Sequence, residues 1–516
     1  MKYRKLINVV AGLALLGGCA NGSGSGASGG SGASETGGSP GTGGSTSSGG
    51  TGGSATGGNG QGTGGAPGTG GSTATGGSIG SGGHGGTGGA TGAGGSGTGG
   101  TLGGTGGRAG SPGATGGSSS AGTTGTGGVG TGSGGAGGEP AVGSVENSGA
   151  NCTATAGALL AADNKLLPDP FAMHDGTIIS TKAQYECRRN EVKKDLEQYE
   201  IGPKQDPSTS TVKATLSGKT LTVAITTSSG SMSLTSAITG SGSCILITMD
   251  TAPNMVMGCT TVPFTSSQVV KSEQDSTQYQ TDPFYKVYPS LWGKIGNYSA
   301  WSWGISRLID GIEQVASQLN VDTSKIAVHG CSYAGKMALF GGALDERVAL
   351  TVVEESGGGG IDSWRMSQEF TDRTGTQVEK IDNTNYGWFL KSMQSLDPYK
   401  LPHDHHELIA MIAPRAVIIL GNDGYDWLGD ESGYKSTMAA LQVFTAMGVP
   451  NNIGYDFTSN HPHCGPPATQ LNSVNAFVQY FLKGGTTPPN IAIKPPSTTF
   501  DLNWQADVPW TNPTLN

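Results

Sequence analysis

The residues best able to do covalent chemistry gather around Ser332. It stands in Ile326-Ala327-Val328-His329-Gly330-Cys331-Ser332-Tyr333-Ala334-Gly335-Lys336. A β-branched run ends at a glycine, the serine follows two residues later, and an apolar stretch with helical spacing begins after it. That order reads as strand, sharp turn, helix, with Ser332 at the apex. Such a turn exposes a serine Oγ and aims a helix N-terminus at the group under attack. The spacing departs from the common G-x-S-x-G, because Ala334 holds the second small position and the glycine falls one residue later. A serine in such a turn can equally be a helix N-cap, so the motif is informative only with partners.

An activated serine needs a base, and the base an orienting acid. On this kind of turn the chain order is serine, acid, histidine. Of the histidines, only His461 and His463 follow the last predicted strand, residues 453–457. His463 adjoins Cys464 as Ser332 adjoins Cys331, so a Cys331–Cys464 bridge would hold nucleophile and base loops together. That favours His463, with His461 in reserve. For the acid the residues leave three choices: Glu355 after a predicted strand at 348–353, and Asp423 or Asp426 after one at 416–421. A carboxylate at a strand exit also forms turns or caps helices.

The elements that must position these groups follow a regular plan. Residues 183–199 predict a mostly exposed, charge-rich helix. Alternating runs at 211–216, 219–227, 231–239, 244–249 and 255–262 predict an antiparallel start, with Cys244 and Cys259 placed where a hairpin bridges them. A helix is predicted at 301–319. Strand and helix then alternate through 325–328, 333–342, 348–353, a loop-rich insertion to about residue 402, 408–413, 416–421, 432–447, 453–457 and 468–482. Alternation of this kind implies a mostly parallel sheet covered on both faces, with ligands at the carboxyl ends of its strands. The fold class is therefore α/β, a three-layer α/β/α sandwich of the α/β-hydrolase type with antiparallel N-terminal strands.

Much of the 516-residue chain is not of this kind. Most of its 93 glycines precede residue 140. Residues 20–138 repeat Gly-Gly-Thr, Gly-Gly-Ser and Gly-Ala steps that bury no core, a flexible tether with a root-mean-square span of roughly 60 Å. Ahead of it, the basic Met1-Lys2-Tyr3-Arg4-Lys5, the apolar 6–16 and the exit Leu16-Gly17-Gly18-Cys19 predict an export signal of lipoprotein type. Cleavage before Cys19 and lipidation of its thiol are expected, giving a bacterial lipoprotein at the outer membrane or cell surface. The expected division is signal 1–18, anchor and tether 19–145, catalytic domain 146–484 and a Pro-rich tail 485–516 packed on or near it. A net charge of −9, from 29 Lys and Arg against 38 Asp and Glu, offers nucleic acid no basic patch. Six cysteines remain after Cys19, an even number that reads as three disulfides in an exported chain.

Taken in order, several motifs resemble the glucuronoyl esterases of carbohydrate esterase family 15: Trp292-Gly293-x-Ile295-Gly296; Ala300-Trp301-x-Trp303-Gly304-x-Ser306-Arg307; His329-Gly330-Cys331-Ser332-x-x-Gly335-Lys336; Glu355-Ser356-Gly357-x-Gly359; Asp404-x-His406-x-Leu408-x-Ala410-x-Ile412-Ala413-Pro414-Arg415; and His463-Cys464. The resemblance covers about residues 151–484. It implies hydrolysis of esters between (4-O-methyl)glucuronic acid on xylan and lignin alcohols, through an acyl-enzyme and without metal or cofactor. By position it implies Ser332 as nucleophile, Glu355 as acid with Asp426 the alternative, and His463 as base. It also implies Lys336 on the sugar hydroxyls, Trp427 beside the sugar, Gln377 on the uronate, and the pairs Cys331–Cys464 and Cys152–Cys187. Two positions depart from the family: Tyr333, whose uncharged hydroxyl is expected to donate a hydrogen bond to the oxyanion, stands where an arginine usually helps hold it, and Asn385 stands where some relatives carry a sugar-binding glutamate.

Other readings compete. His403-Asp404-His405-His406 resembles a metal site, but four adjacent residues cannot all face one ion. Trp292, Trp301 and Trp303 read as a sugar platform or, beside Ile305 and Leu308, as core. An esterase on acetyl or methyl-uronate esters, and a weakened surface carbohydrate-binding homologue, are the alternative functions. The enzyme is expected to be a monomer.

Overall fold

Strands buried on both faces tolerate no polar alternation, and the runs Ile245–Met249, Ile326–Cys331, Val348–Glu354 and Ala416–Leu420 are buried at every position. The computed structural model describes residues 145–516, apart from 251, 254 and 273–276. The export signal, Cys19 and the glycine-rich tether lie outside the described residues. In chain order the main elements are α1 (Lys182–Tyr199), β1 (Thr211–Ser217), β2 (Thr220–Thr226), β3 (Ser231–Ala237), β4 (Ile245–Met249), β5 (Thr260–Phe264), α2 (Pro283–Val287), α3 (Asn297–Leu319), β6 (Ile326–Cys331), α4 (Tyr333–Ala343), β7 (Val348–Glu354), α5 (Trp364–Thr374), α6 (His405–Ala410), β8 (Ala416–Leu420), α7 (Asp430–Ala446), β9 (Ile453–Asp456), α8 (Ala468–Phe477) and β10 (Ala492–Ile493).

Strands β1 to β3 form their own antiparallel sheet, and the other seven form a sheet in the order β10-β9-β8-β7-β6-β4-β5. Every neighbour pair in the larger sheet is parallel. This corrects the expected hairpin: β4 and β5 run side by side in the same direction. Cys244 and Cys259 are bonded (2.06 Å is the length of the Cys152–Cys187 bond, 1.98 Å of this one) because each immediately precedes one of the two strands. Helix α1 is also not the exposed element expected. Several of its charged residues are buried in ion pairs, Arg188 with Glu191 (3.1 Å) and Glu407 (2.5 Å), and Arg189 with Glu346 (2.6 Å). The insertion after β7 holds α5, which sequence periodicity did not reveal.

Several family-like motifs turn out to be framework. Buried Arg415 donates to the carbonyls of Gly342, Asp345, Val348 and Met411, stitching the end of α4 to the start of β7. Trp301 and Trp303 are core residues; Trp303 packs edge-on against Phe284 and Tyr288. Trp292 is different, as it lies 45% exposed. Of the histidine quartet, His403 and His405 both direct Nε2 at the buried Glu200 carboxylate (2.7 and 2.8 Å). Burial opposes their protonation, but the Glu200 charge outweighs it and pushes both imidazoles up. Asp404 caps α6 and pairs with Arg365 (3.0 Å). No helix among the described residues is long and apolar enough to cross a membrane.

The C-terminal segment lies along the surface of the domain. Ser497 N–H donates to Asp423, Asp501 N–H to Glu431, and Lys435 pairs with Asp507 (2.9 Å). Phe500 meets Phe370 edge-on and Trp510 stacks on His406.

Candidate active site

Because the large sheet is parallel, the exits of β6, β7, β8 and β9 share one edge, and Ser332, Glu355 and the loop of His463 all leave from it. Ser332 has φ 60° and ψ −128°, a strained conformation for a residue with a side chain. Its N–H donates to the Glu354 carbonyl (3.0 Å), which pins the turn to the end of β7. A Cβ on Gly330 would come within 2.0 Å of the Ala334 carbonyl oxygen, and one on Gly335 within 2.5 Å of the Glu354 carbonyl oxygen. The two glycines the turn demands are therefore 330 and 335, which is why Ala334 is tolerated between them.

Glu355, at φ 42°, directs a buried carboxylate across the sheet edge. Its Oε2 accepts from His463 Nδ1 at 2.6 Å, and its Oε1 from the Cys464 N–H at 3.2 Å. With Nδ1 carrying that proton, Nε2 is left as the basic nitrogen. Cys331 and Cys464 are disulfide-bonded with Cα atoms 5.7 Å apart, bringing the loops of their neighbours Ser332 and His463 together. His461 is the more distant imidazole, with Nδ1 3.7 Å from Glu355 and Nε2 on the Thr458 carbonyl (2.9 Å). Asp426 is exposed, and among the described residues no hydrogen bond joins it to a histidine. Asp423 accepts from Ser497. Of the three acids considered, the geometry joins Glu355 to His463.

The sugar-side residues divide. Lys336, one turn along α4 and 4% exposed, pairs with Glu379 (2.7 Å) and lies 5.5 Å from the centre of the Trp388 ring. Glu379 also accepts from Thr384 Oγ1 (2.7 Å). No sequence motif marks Glu379, because its role lies in its contact with Lys336. Gln377, expected on the uronate, lies on the exposed face two positions before Glu379. Asn385 Oδ1 accepts from the Gly387 N–H (2.8 Å), so its amide builds the turn that presents Trp388. Trp427 meets His463 edge-on at 4.8 Å.

Tyr333 requires a correction. Its hydroxyl does not stand in for an oxyanion-holding arginine, because it donates to Asp250 Oδ2 at 2.7 Å. Burial, helped by the Asp250 charge, pushes that hydroxyl well above its ordinary pKa and keeps the proton in place. The ring stacks on Trp388 (5.7 Å). What Tyr333 still offers the reaction is its backbone N–H, one of the first-turn donors a helix leaves unsatisfied. Two further buried acids lie behind the site. Burial pushes Asp430 up to about 8, with Glu355 and Asp423 adding to the effect, and pushes Asp362 well above its usual range with Asp430 adding to it. The potential metal-ligand clusters of this region all include Cys331, whose sulfur is committed to the disulfide.

This arrangement, a serine on a strand-to-helix elbow over a parallel sheet, defines an α/β-hydrolase. A family model described as glucuronyl esterase of fungi matches residues 211–448. The 4-O-methyl-glucuronoyl methylesterase of Hypocrea jecorina is 34% identical over 384 residues, covering 71% of this chain and 80% of that protein. The one from Thermothelomyces thermophilus is 36% identical over 341 residues, covering 63% and 83%. A solved structure of a serine-to-alanine glucuronoyl esterase from Sporotrichum thermophile, in complex with methyl 4-O-methyl-β-D-glucopyranuronate, is 32% identical, covers 71% of this chain and 100% of that one, and has a TM-score of 0.65. The chain belongs to the glucuronoyl esterases, carbohydrate esterase family 15.

Proposed function

We propose that this chain hydrolyses esters of (4-O-methyl)glucuronic acid carried on glucuronoxylan, including those to lignin alcohols. The observation that carries the reading is the Glu355–His463 pair tied by Cys331–Cys464 to the Ser332 elbow. His463 Nε2 takes the proton as Ser332 Oγ attacks the ester carbonyl, and buried Glu355 stabilises the resulting imidazolium. The Tyr333 N–H and the α4 N-terminus face the developing oxyanion. Collapse expels the alcohol, which takes its proton from His463, and leaves an acyl-enzyme on Ser332. Water, deprotonated by His463, then releases the uronate. Lys336 and Trp427 serve the sugar, with Glu379 holding the lysine. No step needs a metal or cofactor.

The N-terminal features support an exported protein whose Cys19 is lipidated and whose tether, residues 19–145, separates a membrane anchor from a monomeric catalytic domain at 146–484 and its tail. The test is hydrolysis of methyl or benzyl glucuronate against an acetylated sugar. The glucuronate esters should be cleaved and Ser332→Ala should abolish it. Cleavage of the acetyl ester alone would replace this substrate assignment.

A further inference from the structure

Trp292, read from the sequence with the two core tryptophans, is the one of the three that the fold leaves outside. It sits at the tip of a tight turn: Lys294 N–H donates to the Leu291 carbonyl (2.9 Å), Trp292 has φ −56° and ψ 127°, and Gly293 has φ 72°. These are the central angles of a type II turn. Four residues on, Gly296 packs so closely on the Trp388 backbone that a Cβ there would lie 2.3 Å from its carbonyl oxygen. Asn297 N–H donates to Gly387 (3.0 Å) and Tyr298 N–H to Trp388 (3.2 Å). Four residues span at most about 14 Å. The Trp292 backbone therefore lies within about 14 Å of the point where Gly296 meets the backbone of Trp388, whose ring lies under Lys336 Nζ (5.5 Å). Two exposed lysines stand on the same stretch. Lys294 is exposed beside Trp292, and exposed Lys271, whose carbonyl accepts from Asn297 (3.0 Å), lies over the ring of part-exposed Tyr279 (4.8 Å).

We infer that Trp292 and the lysines beside it form a subsite for the polysaccharide main chain flanking the esterified uronate. An exposed indole stacks on the apolar face of a pyranose, and Lys294 and Lys271 complement the acidic side groups of a glucuronoxylan. The turn of Trp292 is joined to the site through the Trp388 backbone, whose ring lies under Lys336 on the proposed sugar side, which favours carbohydrate over the aromatic alcohol. The inference rests on the proposed function, since that reading makes the ligand a glucuronoxylan.

The test separates the two. The full chain, as Ser332→Ala and as Ser332→Ala with Trp292→Ala, is run through gels with and without unesterified glucuronoxylan. Single Trp292→Ala is assayed on methyl and benzyl glucuronate. Retardation by the polymer should weaken about three- to ten-fold in the double variant, the loss of one aromatic contact. Trp292→Phe should keep most of it, and methyl and benzyl ester kinetics should be unchanged. Equal retardation of both chains, or none for either, overturns the inference. So does a KM raised for the benzyl ester alone, which would assign Trp292 to the alcohol. Failure of the unsubstituted chain to cleave the small esters overturns the esterase reading instead, because the gel reports on binding without turnover.

Discussion

Tyr333→Phe separates two roles that one residue could play. The Tyr333 hydroxyl donates to Asp250 at 2.7 Å, while the other Asp250 oxygen accepts from the Ser266 N–H (2.8 Å). Asp250 itself sits at φ 47° at the exit of β4, the strand next to the nucleophile strand. A hydrogen bond to a charged group is worth about 1.5–3 kcal/mol net. Phenylalanine should therefore lower unfolding free energy by about that much, read from urea midpoints, while kcat on methyl glucuronate stays within about threefold. A hydroxyl that held the oxyanion would give the opposite pattern, a loss of about 10²–10³ in kcat with stability intact. A collapse of kcat at unchanged stability would refute the assignment. By the same logic Tyr333→Arg should leave kcat near the unsubstituted value, since the guanidinium meets the Asp250 carboxylate first. Removing Asp250 as well should free the arginine and raise kcat.

Glu355→Gln should cost about 10⁴ in kcat, because the amide no longer fixes the imidazole tautomer or stabilises the imidazolium. Asp426→Asn should change kcat less than threefold, and the reverse ranking would move the acid to the β8 exit. Asp430 is neutral in the fold up to about pH 8 but ionises in the unfolded chain above its ordinary value of 3.8. The native state thus binds the proton more tightly, and stability is lost as pH rises between those values. Asp430→Asn should raise the melting temperature at pH 8 more than at pH 4.5; an equal shift at both would show that Asp430 is charged in the fold. Lys336→Ala should mainly raise KM for the small ester, and a selective loss of kcat would place the lysine in the chemistry instead.

The regular part of the fold was legible. From residue 325 onward each apolar run is long, bounded by turn residues and alternates with a helical period, so strand and helix types follow from the sequence. What periodicity does not encode is the partner. The runs of β4 and β5 are apolar throughout whether their neighbour runs parallel or antiparallel, and the nearby cysteines suggested the wrong sense. Helix α1 looked exposed because Arg188 and Arg189 find their counter-charges at Glu407 and Glu346, more than 150 residues away. The elbow serine and its candidate base stood out by motif and by chain order. Glu379 and Asp250 did not, since each matters only through a contact with the elbow helix that no local pattern announces.

The Cys331–Cys464 bond has a topological consequence. It closes a covalent ring across a sequence separation of 133 residues, and Ser332, Lys336, Glu355, Glu379, Trp388, Trp427 and His463 all lie inside it. A protease that nicks the exposed chain near Arg373-Thr374-Gly375 would cut the backbone without releasing a fragment. Nucleophile and base would stay on one molecule, joined through sulfur instead of through the backbone. The first cut then leaves the two halves covalently linked so long as the bond is oxidised, and a reductant leaves only the hydrogen-bonded pairing of β7 with β8 and the packing around it to hold them together.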